Sequence, residues 1–352
     1  MKNIIKILFV IIGTLVGAGF ASGKEIYLFF FEYGINGIIG VFISSVIISI
    51  TIYKVLKICY ENKIVDYEHF CKHLGFKNMS NIVHIFLLIT FFIMIAGFSS
   101  YLKQEYNINS ILGSIIAVIM CYFTLKNNIN GLIKVSNCAI PVLIILIVIT
   151  SIKNLNVINN YNNIFNNEII VKKGGIMQSI LYASYNCILL IPVIITLLKL
   201  INSKKSIIIT AIINGLVILI LSFCVYNLLL LGDEKIFKLE MPIIEIVKKY
   251  GTVYKNLYMI IIGLSIFTTA ISTGYGFLGR WEENKNTYKR VLILISIIAI
   301  FVSQISFSIL VNLLYPVLGI VGIIEIIMIL RKVWFFYSKT LQKSGKTGIN
   351  FI

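Results

Sequence analysis

The chain has 352 residues, 59% of them hydrophobic and 13% charged, with a mean hydropathy of +0.96. A water-soluble domain cannot hide so much apolar surface, so the composition specifies an integral membrane protein. The apolar runs are about twenty residues long and greasy on every face, which fits helices and excludes an outer-membrane-type barrel of alternating strands. The net charge of +17 would suggest nucleic acid in a soluble protein, but the basic residues lie mostly in short connections between apolar runs, where they set topology.

The first predicted span, 4–33, carries the stretch "GTLVGAGFASGKEI" at its centre, with four glycines followed by the charged pair Lys24 and Glu25. It is not a signal peptide, because the apolar run continues past the small residues into "EIYLFFFEYG". It is not a dinucleotide loop either: the spacing Gly17, Gly19, Gly23 misses G-x-G-x-x-G, and no strand precedes it. A helix broken within the membrane accounts for more. Glycine lowers the cost of unwinding. Two charged side chains near mid-membrane cost about 2.5–3.5 kcal/mol each, nearly cancelling about 0.3–0.6 kcal/mol from each aliphatic residue, so this span needs neighbours rather than lipid. A half-helix starting after the break aims free N–H groups at it, an arrangement suited to a carboxylate.

Nine further spans follow, near 36–58, 82–102, 108–125, 131–151, 174–199, 206–231, 255–279, 289–310 and 316–336. Between spans two and three, "YENKIVDYEHFCKHLGFKNMSN" predicts a short surface helix. Residues 152–173 are Asn-rich and loop-like, and "MPIIEIVKKYG" reads as an amphipathic helix on the membrane surface. With the N-terminus inside, 21 of the 31 basic residues fall on inner segments, which puts both termini in the cytoplasm of a cell-membrane protein. Ten spans divide at 152–173 into five and five, repeat one about 4–151 and repeat two about 174–336, within a single transmembrane domain over 1–352. An odd number of spans per half inverts the second half relative to the first. Span six opens that second half and has its own irregular centre, "ILYASYNCILLIP". Interruptions in corresponding spans point to a solute site. Glycines also serve close helix packing, the preferred reading for Gly37 and Gly40.

The span-one stretch and the "TTAIST" of span eight, in a ten-span chain of this length, resemble the YkvI-like membrane proteins and, more widely, the amino acid–polyamine–organocation superfamily of LeuT-type fold. The resemblance implies an all-α five-plus-five inverted repeat with spans one and six broken around a mid-membrane solute site, often with sodium coupling. On that basis Gly17, Ala18 and Gly19 match the unwound solute-binding segment. Gly13 and Val16 match the carbonyls that hold Na⁺ in coupled members, and Thr269, Ser272 and Thr273 match a carbonyl and two hydroxyls of the same ion site. The three share one helical face, and Na⁺ takes several neutral oxygens. Sodium, a proton and no coupling ion all remain open. The chain departs from its wider relatives at Phe20, which stands where one class carries an amide ligand, and in the Lys24–Glu25 pair.

Ala183, Ser184, Tyr185 and Asn186 lie in the presumed span-six break, where they either bind solute or satisfy unwound carbonyls. Gly97 and Ser100, with Ser99, leave room in span three or serve packing. Glu325 is the clearest lone acid within a span, a candidate proton carrier or partner of Lys24. His69 and His73 read as surface residues and His84 as interfacial. No nucleophile–base set, paired carboxylates or metal cluster suggests an enzyme, the six cysteines form no C-x-x-C pair, and no cofactor is expected beyond a Na⁺ ion. The expectation is a secondary transporter of a small zwitterionic or amine-containing solute, an amino acid first among them, with no nucleic-acid partner. The alternative is a non-transporting sensor of the spore-germinant receptor type. Solute identity and oligomeric state are not legible.

Overall fold

The computed structural model describes residues 2–155, 172–305, 314 and 316–331. The Asn-rich connection 156–171 and the distal ends of the last two predicted spans lie outside the described residues. Those described fold into helices with no strand among them.

The first span is in pieces: α1 (Lys2–Leu15), α2 (Ala18–Ala21) and α3 (Lys24–Phe29), closed by a single 3₁₀ turn at Phe31–Tyr33. The chain then reverses into α4 (Gly34–Asn62), the loop helix α5 (Tyr67–Leu74), α6 (Lys77–Tyr106), α7 (Ser110–Leu125) and α8 (Asn128–Leu155). Beyond the Asn-rich connection come α9 (Gly175–Thr196), α10 (Lys204–Leu229), the short α11 (Glu234–Phe237) and α12 (Pro242–Lys248), α13 (Thr252–Leu278), α14 (Lys285–Val302) and α15 over 316–331. Among the described residues, six helical runs are long and apolar enough to cross a membrane, and α1 and α7 are shorter apolar helices.

Boundaries follow local chemistry. Asp66, Asn109, Ser203, Asp233 and Asn284 cap α5, α7, α10, α11 and α14 with side-chain oxygens, and Pro242 occupies the first turn of α12. Gly75 ends α5 in the left-handed conformation.

Burial sorts the helices into a centre and a shell. α9 is buried almost throughout from Tyr182 to Ile195, and most of α13 from Tyr258 to Leu278 is also enclosed. α1 packs against α8, α9, α10 and α13, so the broken span sits in the middle. The shell exposes apolar stripes at helical spacing: Ile39, Phe42, Val46 and Ile50 on α4; Ile208, Ile212, Leu216 and Ile220 on α10; Ile320, Ile324 and Ile327 on α15. In water these stripes would aggregate, whereas hydrocarbon is their natural solvent. Gly37 and Gly40 act as packing glycines, bringing α4 onto the Phe30 carbonyl and onto Ser179 of α9.

Three expectations are corrected here. Span six is one continuous helix through 182–187. No glycine or proline falls in "YASYNC" to lower the cost of unwinding, and Ser184 and Asn186 return their side chains to the carbonyls of Ile180 and Tyr182, four residues back. The one proline of this helix, Pro192, is accommodated inside it. The "MPIIEIVKKYG" helix, α12, turns its apolar face to protein rather than lipid, since Ile243, Ile244, Ile246 and Val247 are buried against the bundle. His84 is enclosed rather than interfacial, with its ring between Tyr67 and Phe277.

Candidate functional site

The helix stops after Leu15. Val16 and Gly17 are non-helical, Gly17 is extended, and Ser22 and Gly23 form a second interruption with Gly23 at φ +83°. Every residue from Val10 to Gly23 is buried, so the break is walled by protein, as unwound backbone in a bilayer must be. Its carbonyls find donors on other elements. Thr269 of α13 donates its hydroxyl to the Gly13 carbonyl at 2.9 Å, the Tyr258 hydroxyl donates to Ala21 at 2.8 Å, and the Ile243 amide of α12 donates to Ser22 at 3.1 Å. These bonds explain how a membrane helix tolerates the break.

α1 and α13 meet where the residues matched to the ion site lie. The Thr269 hydroxyl reaches Gly13, and a side chain at Gly17 would touch Thr269. Thr273 donates its hydroxyl back to the Thr269 carbonyl at 2.9 Å. The Ser272 hydroxyl is buried with no hydrogen-bond partner among the described residues. An orphaned hydroxyl on the same helix as two engaged threonines, one of which reaches the end of α1, makes a neutral, oxygen-bearing stretch. The detail that differs from expectation is that Thr269 presents its hydroxyl to span one, while its carbonyl accepts from Thr273.

Glu25 is the acid of the break. It is 3% exposed, and its carboxylate lies against Gly19, so closely that a methyl group there would overlap it. Tyr185 of α9 donates its hydroxyl to the same carboxylate. Around them stand further rings: Tyr182 lies 5.4 Å from Tyr185, edge to face, and Phe29 and Phe30 lie 5.6 and 4.8 Å from Tyr182. Of the span-six residues singled out from sequence, Tyr185 therefore meets the break, Ala183 is buried, and Ser184 and Asn186 bond within their own helix.

Lys24 and Glu325 do not pair. The Lys24 ammonium reaches outward and donates to the carbonyls of Phe237 and Leu239, at 2.8 and 3.3 Å, at the C-terminal end of α11. Glu325, 1% exposed on α15, accepts from the Tyr67 hydroxyl of α5 at 2.8 Å, and its second oxygen has no partner among the described residues. Burial, and next the Glu325 carboxyl, push the Tyr67 phenol well above its ordinary range, which keeps it a hydrogen donor. Both acids avoid lipid, as expected. In span three, Ser99 gives its hydroxyl to the Ser110 carbonyl of α7 at 2.6 Å, a packing contact, while Gly97 is buried and Ser100 half-buried on the same helix.

Sequence reasoning missed Tyr67, Tyr258, Ile243 and the ring cluster. Tyr67 had a readable signal: Tyr67, Phe70, Cys71 and Leu74 follow helical spacing and form the buried face of α5. Tyr258 and Ile243 reach the break only through the fold.

No family model matches the chain. It is 24% identical over 328 residues to YkvI of Bacillus subtilis (strain 168), described as an uncharacterized membrane protein, covering 90% of this chain and 92% of YkvI. It is 22% identical over 333 residues to YyaD of the same organism, described as an uncharacterized protein. Among solved structures, MhsT in complex with L-phenylalanine superposes with a TM-score of 0.57 at 13% identity, over 85% of this chain and 78% of MhsT. The manganese transporter of Eremococcus coleocola superposes with a TM-score of 0.60 at 11% identity, over 93% of this chain and 76% of the transporter. The architecture is thus the LeuT-type fold that these two solved structures share. In sequence the chain is YkvI-like along nine tenths of its length.

Proposed function

We propose that the protein is a secondary active transporter of a small zwitterionic or amine-bearing solute, coupled to Na⁺ and working by alternating access between two inverted five-span repeats. The observation that carries this reading is the break at Val16–Gly17, buried at the centre of the bundle and bordered by Thr269 of α13, on the helix that also carries Ser272 and Thr273. Irregular backbone at this depth is costly, and it serves a purpose when its polar groups coordinate solute or ion. Na⁺, when bound, would supply a positive charge held by neutral oxygens. The carbonyls of Gly13, Val16 and Thr269 and the hydroxyls of Ser272 and Thr273 would hold it. The orphaned Ser272 hydroxyl fits that role, since a buried donor–acceptor without a partner is costly in the absence of one. Gly17, Ala18, Gly19 and Tyr185 would line the solute side, with Ala183, Ser184 and Asn186 on the facing helix. Gly97 and Ser100 would leave space behind it. The outer approach to the break is covered by α11 and α12, which hold Lys24 and Ser22.

The test is uptake of radiolabelled amines and amino acids into proteoliposomes with an inward Na⁺ gradient. Uptake above that of empty liposomes that collapses when the gradient is removed supports the reading. Saturable binding with no uptake under any ion gradient would replace it with the sensor alternative.

A further inference from the structure

On the side of the bundle that the basic-residue bias assigns to the cytoplasm, the end of α7 and the start of α14 enclose a cleft of about 470 Å³. Its wall carries three ammonium groups, on Lys126 just after α7 and on Lys285 and Lys289 at the start of α14, against one carboxylate, Glu282. That carboxylate is already engaged, since it accepts the Tyr275 hydroxyl at 2.9 Å. None of the three lysines forms an ion pair among the described residues. Tyr288 lines the cleft as well, and its hydroxyl donates to the Leu125 carbonyl at 2.8 Å, a bond that ties α14 to the end of α7 and holds the two basic walls together.

Two apolar stripes lead away from the cleft. α7 ends there, and Phe123, Met120 and Ile116 are exposed along it going back into the membrane; α14 begins there, and Ile293, Ile297 and Phe301 are exposed along it going in. The two helices are in contact, so both stripes start from the same basic end. The Lys126 ammonium sits 4.9 Å from the centre of the Phe123 ring, which places that charge at the rim between stripe and cleft. We propose that this cleft binds an anionic phospholipid of the cytoplasmic leaflet, its phosphate held by Lys126, Lys285 and Lys289 and its acyl chains lying on the exposed faces of α7 and α14. A phosphodiester headgroup with no cation of its own matches unpaired ammonium groups, whereas a zwitterionic headgroup brings a further cation to a wall that already has three. A soluble phosphate ester matches the charge but leaves the apolar stripes unused. Topology alone asks for lysines on this side, not for their convergence on one cleft from two connections distant in sequence. The site is separate from the span-one break and does not depend on whether the protein transports or senses.

The full-length protein in detergent micelles tests this, with bound lipid counted by native mass spectrometry during titration. The probes are dioleoylphosphatidylglycerol, dioleoylphosphatidylcholine and glycerol 3-phosphate. One variant combines Lys126→Gln, Lys285→Gln and Lys289→Gln; a control combines Lys54→Gln, Lys57→Gln and Lys205→Gln, which removes the same charge elsewhere on the same side. A lysine near an anionic membrane surface strengthens association about fivefold, so the cleft variant should bind phosphatidylglycerol at least about tenfold more weakly than wild type, while the control keeps wild-type affinity. Wild type should favour phosphatidylglycerol over phosphatidylcholine by about tenfold or more. Equal affinity for the two lipids, an unchanged cleft variant, or a control that loses as much as the cleft variant overturns the inference. Glycerol 3-phosphate that displaces the lipid at equal concentration also overturns it and makes the cleft a site for soluble phosphates. If the cleft variant does not fold, Lys285→Gln alone takes its place: about a fivefold loss supports the site, and none overturns it.

Discussion

Gly19 has no room for a side chain, because the Glu25 carboxylate fills the position a methyl group would take. Gly19→Ala must therefore move Glu25 off the break, at an overpacking cost of about 1–3 kcal/mol. The expected outcome is a lower thermal midpoint together with weaker solute binding; a variant with wild-type stability and affinity would show that Glu25 does not need its present seat. Thr269 and Ser272 separate structure from ion binding. Thr269 already donates to Gly13, so Thr269→Val should cost about 0.6 kcal/mol of stability even without Na⁺, a typical value for a hydroxyl bond between membrane helices. The Ser272 hydroxyl is buried with no partner among the described residues, so Ser272→Ala should raise Na⁺-free stability, by about 1–3 kcal/mol. Denaturation in choline chloride compares the two. The Tyr67–Glu325 bond calls for a double-mutant cycle. Tyr67→Phe leaves a buried carboxyl without its donor and should cost about 1–3 kcal/mol, with a coupling of about 0.5–3 kcal/mol to Glu325→Gln. Zero coupling would mean the bond contributes nothing to holding α5 against α15.

At the scale of elements, α11 and α12 form a cover over the C-terminal half of span one. Two contacts fasten it: the Lys24 ammonium on the end of α11, and the Ile243 amide on the Ser22 carbonyl. Ring stacking adds to this, with Tyr27 4.4 Å from Phe237. Lys24→Ala removes the first contact only. Local opening of the cover should then become easier by roughly 1.4 kcal/mol, so that the Ile243 amide exchanges its hydrogen about tenfold faster while amides of α13 are unaffected. Equal rates in the two proteins would show that apolar burial alone holds the cover. The cover also shows why "MPIIEIVKKYG" misleads. A one-sided apolar pattern states that a helix has a face to bury, and Ile243, Ile244, Ile246 and Val247 bury it against the bundle rather than lipid. Span six misleads for a related reason: a run of polar residues inside a helix looks like a break, but Ser184 and Asn186 satisfy themselves on the preceding turn.

At the scale of the molecule, the prediction is linkage between solute and ion. If the ion residues hold Na⁺ next to the solute, wild-type solute affinity should rise with Na⁺, and Na⁺ affinity should rise with solute by the same factor. Ser272→Ala combined with Thr273→Val should abolish the dependence while leaving the fold intact. A wild-type affinity equal in Na⁺ and in choline would remove sodium from the mechanism and bring Glu325 forward as a proton carrier.

The sequence by itself determined the solvent, the helical class, the place of the span-one break and the list of charges that must avoid lipid. These follow from composition, run length and the cost of burying charge, which are properties of the chain read residue by residue. It also marked Glu25 and Tyr185 as residues of the broken region and its facing span. Only the tertiary structure decided how the charges are used. Lys24 turns to α11, Glu325 to Tyr67, and Glu25 to Gly19 and Tyr185, at sequence separations of up to 258 residues. Such pairings depend on which helices become neighbours and on how far each side chain reaches, and neither quantity is written in local pattern.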